Sequence, residues 1–269
     1  MMLPQAVSAQ KNNDGAEGLK VMSYNIRLGS ANDGTNAWPM RYPATLEMIE
    51  DQAPDVFGVQ EALSYQIYLI EENFRNYLSV GVGREDGKKE GEFMSIFWNK
   101  KTVSMLKWGT FWLSETPDKV SKGWDSKYYR TCTWVVLENK ETGEQYAHIN
   151  THLDNTGAQA RTNGLALVLE KAVSFDMPVV LTGDFNFGKG TALYRQLNSG
   201  VVKDSASLAK VADSGATAHG YAGGVEGNPI DFICVNDKVT EVRSYNIIRD
   251  KYNDRYVSDH YPIYSDVIM

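Results

Sequence analysis

Six short runs set a polar side chain that can bind a metal or move a proton at the edge of an apolar stretch. Four follow such a stretch directly: Met22-Ser23-Tyr24-Asn25, Gly58-Val59-Gln60-Glu61, Thr182-Gly183-Asp184-Phe185-Asn186 and Ser258-Asp259-His260-Tyr261-Pro262. A fifth, Asn150-Thr151-His152-Leu153-Asp154, ends a stretch in histidine, and a sixth, Pro229-Ile230-Asp231-Phe232, begins one with aspartate. Strand ends are where sheet scaffolds present functional groups. Singly, each residue has a structural alternative: Asn25 as a turn residue, Glu61 as a charge opening a helix, Asp184 as an Asx-turn, His260 as a surface imidazole. Jointly, carboxylates, imidazoles and carboxamides at six strand ends are a set suited to holding a cation and handling protons.

The elements needed to position this set are strand-rich. LKVMSYNI, DVFGVQE, FMSIFWN, RTCTWVVL, QYAHINTH, PVVLTGDF, IDFICV and the terminal PIYSDVI are rich in β-branched or aromatic residues and bounded by turn formers, which predicts strands. Three helices are expected. One carries Leu46, Ile49 and Ala53 on a face and closes at Pro54; the second carries Ile67, Ile70 and Phe74. The third runs from about Ala158 to Phe175, with Leu165, Val168, Leu169 and Ala172 aligned. Strands outnumber helices without alternating with them, so packed sheets with helices outside are expected rather than a βαβ winding.

In this order the blocks resemble the endonuclease/exonuclease/phosphatase superfamily, through QE after an early strand, GDFN in the middle and SDHYP near the C-terminus. The resemblance spans Tyr24 to Pro262. It implies an α+β fold like that of deoxyribonuclease I: a four-layer α/β/β/α sandwich, two mixed β-sheets face to face with helices outside and the site at one edge. It also implies one catalytic domain over residues 19–269, because a single site draws on both ends of the chain. Glu61 then looks like the main carboxylate ligand of a divalent cation, with Asn25 and Asp259 supporting. Asp184 and Asn186 correspond to the residues that activate and position the attacking water, His260 and Asp231 to the paired imidazole and carboxylate. His152 falls where the nuclease branch has a second catalytic histidine, and Arg130 is similar to a phosphate-contacting arginine of some branches. Arg27 departs from the pattern, since abasic-site endonucleases carry an aspartate there.

Elementary electrostatics agrees with the implied cation. Glu61, Asp184, Asp231 and Asp259 gathered without one would raise some of their pKa values by mutual repulsion. Mg²⁺ relieves this and favours one or two carboxylates plus waters and substrate oxygens, with Mn²⁺ or Ca²⁺ as substitutes. No thiolate and multiple-histidine set suits structural zinc. His148 shares a strand face with His152 and is expected to be structural, and His219 to lie in a loop. Cys132 and Cys234 are expected as small buried residues, with a disulfide left open. The expected reaction is metal-assisted, direct in-line attack of water on a phosphodiester or phosphomonoester. Asp184 is its base, Asn186 aims the water, and His260, His152 and Arg130 meet the phosphoryl oxygens.

Loops choose the substrate. WPMRYP (Trp38 to Pro43) is read as preceding the first helix and GVGREDGKKEGEF (Gly81 to Phe93) as exposed. FWLSETPDKVSKGWD, with Trp112 and Trp124, is read as a loop before Arg130. Arg84 and the aromatics could grip a sugar, base or head group, or the tryptophans could serve as packed anchors. The chain of 269 residues has a net charge of −7 and no run of five basic residues, which favours a small or exposed phosphoester over nucleic acid and leaves a nuclease as the alternative. An inactive binding module is the third reading. No apolar run is long enough to span a bilayer, and no protein partner is predicted. Residues 1–18 read either as a disordered N-terminus or as the remnant of a signal peptide, with Val7-Ser8-Ala9 at the cleavage spacing. The second reading predicts export to the periplasm or exterior, with a cytoplasmic location as the alternative.

Overall fold

A computed structural model describes residues 18–198 and 200–269, so the signal-like segment Val7-Ser8-Ala9 lies outside the described residues. The chain runs β1 (Leu19–Asn25), α1 (Trp38–Gln52), β2 (Val56–Gln60), α2 (Ser64–Asn73), β3 (Tyr77–Val80), β4 (Ile96–Asn99) and β5 (Val103–Trp112). It continues through β6 (Thr131–Asn139), β7 (Gln145–His152), α3 (Ala158–Val173), β8 (Val179–Asp184), α4 (Ala192–Leu197), β9 (Lys203–Asp204) and α5 (Ser205–Leu208). It ends with β10 (Val211–Ala212), β11 (Asp231–Val235), β12 (Glu241–Ile247) and β13 (Ile263–Ile268).

Two mixed sheets result, one of seven strands in the order β10-β12-β13-β1-β2-β4-β3 and one of six in the order β5-β6-β7-β8-β11-β9. Strand alternation divides the side chains between two faces. On the inner faces, Val21, Val56, Ile96, Val135, Leu137, Val180 and Ile233 pack the sheets against each other. On the outer face of the first sheet, Met22, Tyr24, Phe57 and Phe97 meet Ala44, Met48 and Ile49 of α1 and Ile67 and Ile70 of α2. On the outer face of the second, Ala147, Ile149, Leu181 and Phe232 meet Leu165, Val168 and Ala172 of α3. The four-layer α+β sandwich is thus what this chain forms. Cys132 and Cys234 are free and buried in the last of these layers.

All eight expected strands form, while β3, β5, β12 and the two-residue strands β9 and β10 lie outside the sequence reading. In β5, Lys107, Trp108 and neighbouring residues are exposed at a sheet edge, so no clean alternation marks it. WPMRYP corrects the loop reading: it forms the first turns of α1, with Pro39 at the start, where a missing N–H costs nothing, and Pro43 tolerated inside. The buried stripe of α1 accordingly begins at Trp38 and Arg41, and Ala53 is its exposed left-handed cap. Phe111 and Trp112 finish β5 rather than open a loop. The 81–93 segment is exposed only around its tip, since Arg84, Glu92 and Phe93 are buried.

Candidate active site

The inter-sheet layer changes character along its length. Beyond the apolar contacts it becomes polar, with Ser23, Gln60, His148, Asn150 and Thr182 all buried. Gln60 Nε2 donates to Asn150 Oδ1 at 2.7 Å, Thr182 Oγ1 to the same oxygen at 3.1 Å, and Asn150 Nδ2 to the Val59 carbonyl at 2.8 Å. His148 Nε2 contacts Thr182 Oγ1 at 2.8 Å, and burial pushes its pKa down to about 3, so it is a neutral structural imidazole, as expected. Gly58 has a packing reason: a Cβ there would lie 2.5 Å from the Asn150 side chain. This network ties the sheets together just below the strand ends that bear the site.

Register delivers the next shell. β7 and β8 are parallel with His152 beside Asp184, and β8 and β11 antiparallel with Asp231 beside Asp184. In the other sheet Asn25 pairs with Gln60, which places Glu61 next to them. Arg27, Glu61 and Asn186 all have left-handed backbones (φ 63°, 62° and 53°), which end the extended runs and turn the chain at the site. Asn25 Nδ2 donates across the sheets to Asp184 Oδ2 at 3.0 Å and within its own sheet to Glu61 Oε1 at 3.2 Å. Leu28 N donates to the second oxygen of Glu61 at 2.9 Å. Asn186 Nδ2 donates to the Leu153 carbonyl at 3.0 Å and lies 2.9 Å from His152 Nε2. That amide orientation makes Nε2 an acceptor and leaves the His152 proton on Nδ1. Burial, with the nearby Arg130, Arg84 and His260 charges, holds the His152 pKa well below the usual value.

His260 behaves oppositely. Burial disfavours its charge, but Asp231, whose Oδ2 lies 2.8 Å from Nδ1, together with Asp184 and Asp259, raises its pKa to about 10. Asp184 is raised as well, first by burial and then by the charge of Asp231. Its Oδ2 is 3.4 Å from His152 Nε2 and 4.0 Å from His260 Nε2. Donor atoms of Glu61, His152 and Asp184 lie within 4.8 Å of one another, as do those of Asp184, Asp231 and His260. Two carboxylates and an imidazole nitrogen thus converge, the carboxylates sharing the Asn25 amide and the imidazole meeting the Asn186 amide, a donor set that a divalent cation fits.

Asp259 stands slightly apart, outside both convergent groups. Its carboxylate is 3.4 Å from Arg27 Nη1, and Arg27 also grips Asp33 through two 2.9 Å contacts. The residue that departs from the abasic-site pattern therefore neutralises charge next to the expected supporting ligand. Arg84 and Arg130 line a cleft of about 410 Å³ with Glu61, His152 and Tyr128. Arg84 pairs with Glu92 at 2.5 Å, and Arg130 with Asp154 at 3.3 Å. Trp112 is a packed anchor whose Nε1 donates to the Arg84 carbonyl at 2.7 Å.

Three supporting residues escaped the sequence reading. Arg41, 1% exposed, donates to the carbonyls of Ile26, Arg27, Asn36 and Val257 at 2.6–3.0 Å, joining the turns on either side of Asn25 and Asp259. Gln66 Oε1 accepts from Gly29 N and Leu63 N, and its Nε2 donates to the Arg27 carbonyl. Thr217 Oγ1 accepts from Ile230 N and Asp231 N, and its carbonyl accepts from Tyr261 N, coupling Asp231 to the His260 turn. The signal for Arg41 was a long cation among apolar residues at helical spacing; Thr217 had none.

The model of the Endonuclease/Exonuclease/phosphatase family matches residues 22–260. A Bacteroides thetaiotaomicron protein of that family is 32% identical with a TM-score of 0.89, covering 94% of this chain and 98% of its own. The mannosyl-6-phosphatase of Bacteroides thetaiotaomicron is also 32% identical with a TM-score of 0.89, covering 93% of this chain and 100% of its own. A Bacteroides vulgatus member is 32% identical with a TM-score of 0.88, covering 94% and 99%. No curated protein matches the chain. With the family model matched over residues 22–260 and the fold shared with relatives 32% identical, the chain belongs to the endonuclease/exonuclease/phosphatase family of metal-dependent hydrolases that act on phosphate ester bonds.

Proposed function

We propose that this chain is a Mg²⁺- or Mn²⁺-dependent phosphoesterase that hydrolyses a small or exposed phosphoester by direct in-line attack of water. The observation that carries the reading is the position of Asp184, flanked in register by His152 and Asp231 and reached from the other sheet by Asn25 beside Glu61. Glu61 and Asp184, with His152 and Asn25 next to them, would hold the cation, which when bound supplies charge neutralisation at the phosphoryl and leaving oxygens. Asp184 takes the proton of the attacking water, and the Asn186 amide, steadied by Leu153 and His152, sets its direction. Protonated His260, held by Asp231, donates from Nε2 to the phosphoryl oxygen as charge builds. His152 is the orienting neighbour of Asn186.

Two findings favour a compact ester over a polymer. The net charge of −7 gives little support to a broad basic face, and the similar mannosyl-6-phosphatase is named for a sugar phosphate rather than a nucleic acid. The test is a panel of p-nitrophenyl phosphate, its bis ester, hexose 6-phosphates and plasmid DNA, with Mg²⁺ or Mn²⁺ and with chelator. Asp184→Asn and His260→Gln should each lower turnover by about 100-fold or more while the protein stays folded. Near-normal activity in either variant, or activity indifferent to chelator, would sink the mechanism, and plasmid nicking as the main activity would replace the substrate class. We further propose export of the protein, to be checked by N-terminal sequencing of material secreted from the full gene; a secreted chain starting at Met1 would contradict cleavage.

A further inference from the structure

The cleft is walled by three guanidinium groups and includes Glu61 and His152, whose donor atoms lie within 4.8 Å of those of Asp184, so it opens onto the candidate site. Arg27 is engaged by Asp33 and Asp259. Arg84 and Arg130 are different: each is only 5% exposed, has one carboxylate partner, and keeps a guanidinium nitrogen without a hydrogen-bond partner, Nε of Arg84 and Nη1 of Arg130. The Arg130 contacts are long, 3.3 Å to Asp154 and 3.4 Å to Asn155. Both guanidiniums lie over Tyr128, at 5.4 and 5.6 Å from its ring centre. Two like charges thus sit against one ring in a buried wall, where each raises the cost of the other. Glu92, Glu85 and Glu61 beside Arg84 and Asp154 beside Arg130 offset the charge, but Arg84 Nε and Arg130 Nη1 remain buried donors without acceptors, and a ligand with several oxygens supplies them.

The phosphoryl end of a phosphomonoester is such a ligand. It carries up to two negative charges and three terminal oxygens, and paired guanidiniums suit such a group. A diester carries one charge and two terminal oxygens, and its second alcohol has to pass the same wall. We propose that Arg84 and Arg130, spaced on Tyr128, clamp the terminal oxygens of a phosphomonoester and make this chain a phosphatase in preference to a diesterase. This rests on the phosphoesterase reading above and sets the ester class within it.

The test compares kcat/KM for p-nitrophenyl phosphate and bis(p-nitrophenyl) phosphate in Mn²⁺-loaded protein. The ratio should favour the monoester in the wild type and move toward the diester by about tenfold or more in Arg84→Gln, with Arg84→Lys between them. Because Arg84 is buried, the wild type gives a second readout: inorganic phosphate should inhibit at least about tenfold more strongly than dimethyl phosphate, which has the same centre but less charge. A wild type that prefers the diester, equal inhibition by the two anions, or an unmoved ratio in folded Arg84→Gln would overturn the clamp alone. Hydrolysis of no ester in the panel, hexose 6-phosphates and plasmid DNA included, would overturn it together with the phosphoesterase reading.

Discussion

Asp184 and His260 carry opposite electrostatic demands within one site. Burial and Asp231 push Asp184 toward its neutral form, whereas Asp231, Asp184 and Asp259 keep His260 charged despite burial. Such a separation is how neighbouring groups acquire distinct acid and base roles. It also has a stability consequence. The His260 pKa is about 10 in the folded chain against an unperturbed value of 6.5. Its contribution is therefore fully present below pH 6.5 and lost as pH rises through 10. In metal-free protein, His260→Gln should flatten the fall in thermal stability between pH 7 and 10, removing a contribution on the order of 2 kcal/mol. Melting curves across that range check it; parallel wild-type and variant curves would contradict the charged imidazole. The residue types at this site were legible because six polar blocks each abut an apolar run. The shared function of Asn25, bridging Glu61 and Asp184 from 36 and 159 residues away, was not.

At the scale of elements, α1 shows how an apparent loop becomes part of the site's support. With Pro39 and Pro43, WPMRYP reads as preceding the helix, yet Pro39 at the helix start loses no hydrogen bond and Pro43, inside it, gives up only one. The helix then buries Arg41, whose guanidinium binds carbonyls from the β1 exit and from Val257 just before the SDHYP turn. Arg41→Met keeps the stem and removes these donors, leaving buried carbonyls unpaired. It should cost about 3 kcal/mol or more and lower turnover without altering any group at the site. Denaturant unfolding and kcat measured on the same preparation check this; full stability in the variant would show that the carbonyls find other partners. The 81–93 segment has the same lesson. Its charges suggested solvent, but Arg84 and Glu92 pair at 2.5 Å beneath the tip, and charge alone cannot tell a solvated lysine from a buried ion pair.

Across the whole molecule, two sheets meet through an apolar layer that turns polar and then carries the candidate site toward one edge. The end strands of the chain sit in the middle of this arrangement: β1 lies between β13 and β2, so the SDHYP turn before β13 is drawn to the Asn25 exit of β1. Folding thereby assembles the carboxylates at the cost of repulsion, and a divalent cation should return stability to the folded form. Mn²⁺ at about 100 times its dissociation constant should add roughly 2.7 kcal/mol, seen as a rise in Tm, and Glu61→Gln should abolish most of that rise. An identical rise in the variant would place the cation elsewhere. By itself, the sequence determined the strand-rich plan, the motif blocks and hence the family, because hydrophobic patterning and short motifs are local properties of a chain. Only the tertiary structure decided that Asn25 spans the sheets, that Arg41 and Thr217 brace the two turns, and that Arg84 and Arg130 share Tyr128. Those facts depend on register and close packing between residues far apart in the chain, which no local pattern encodes.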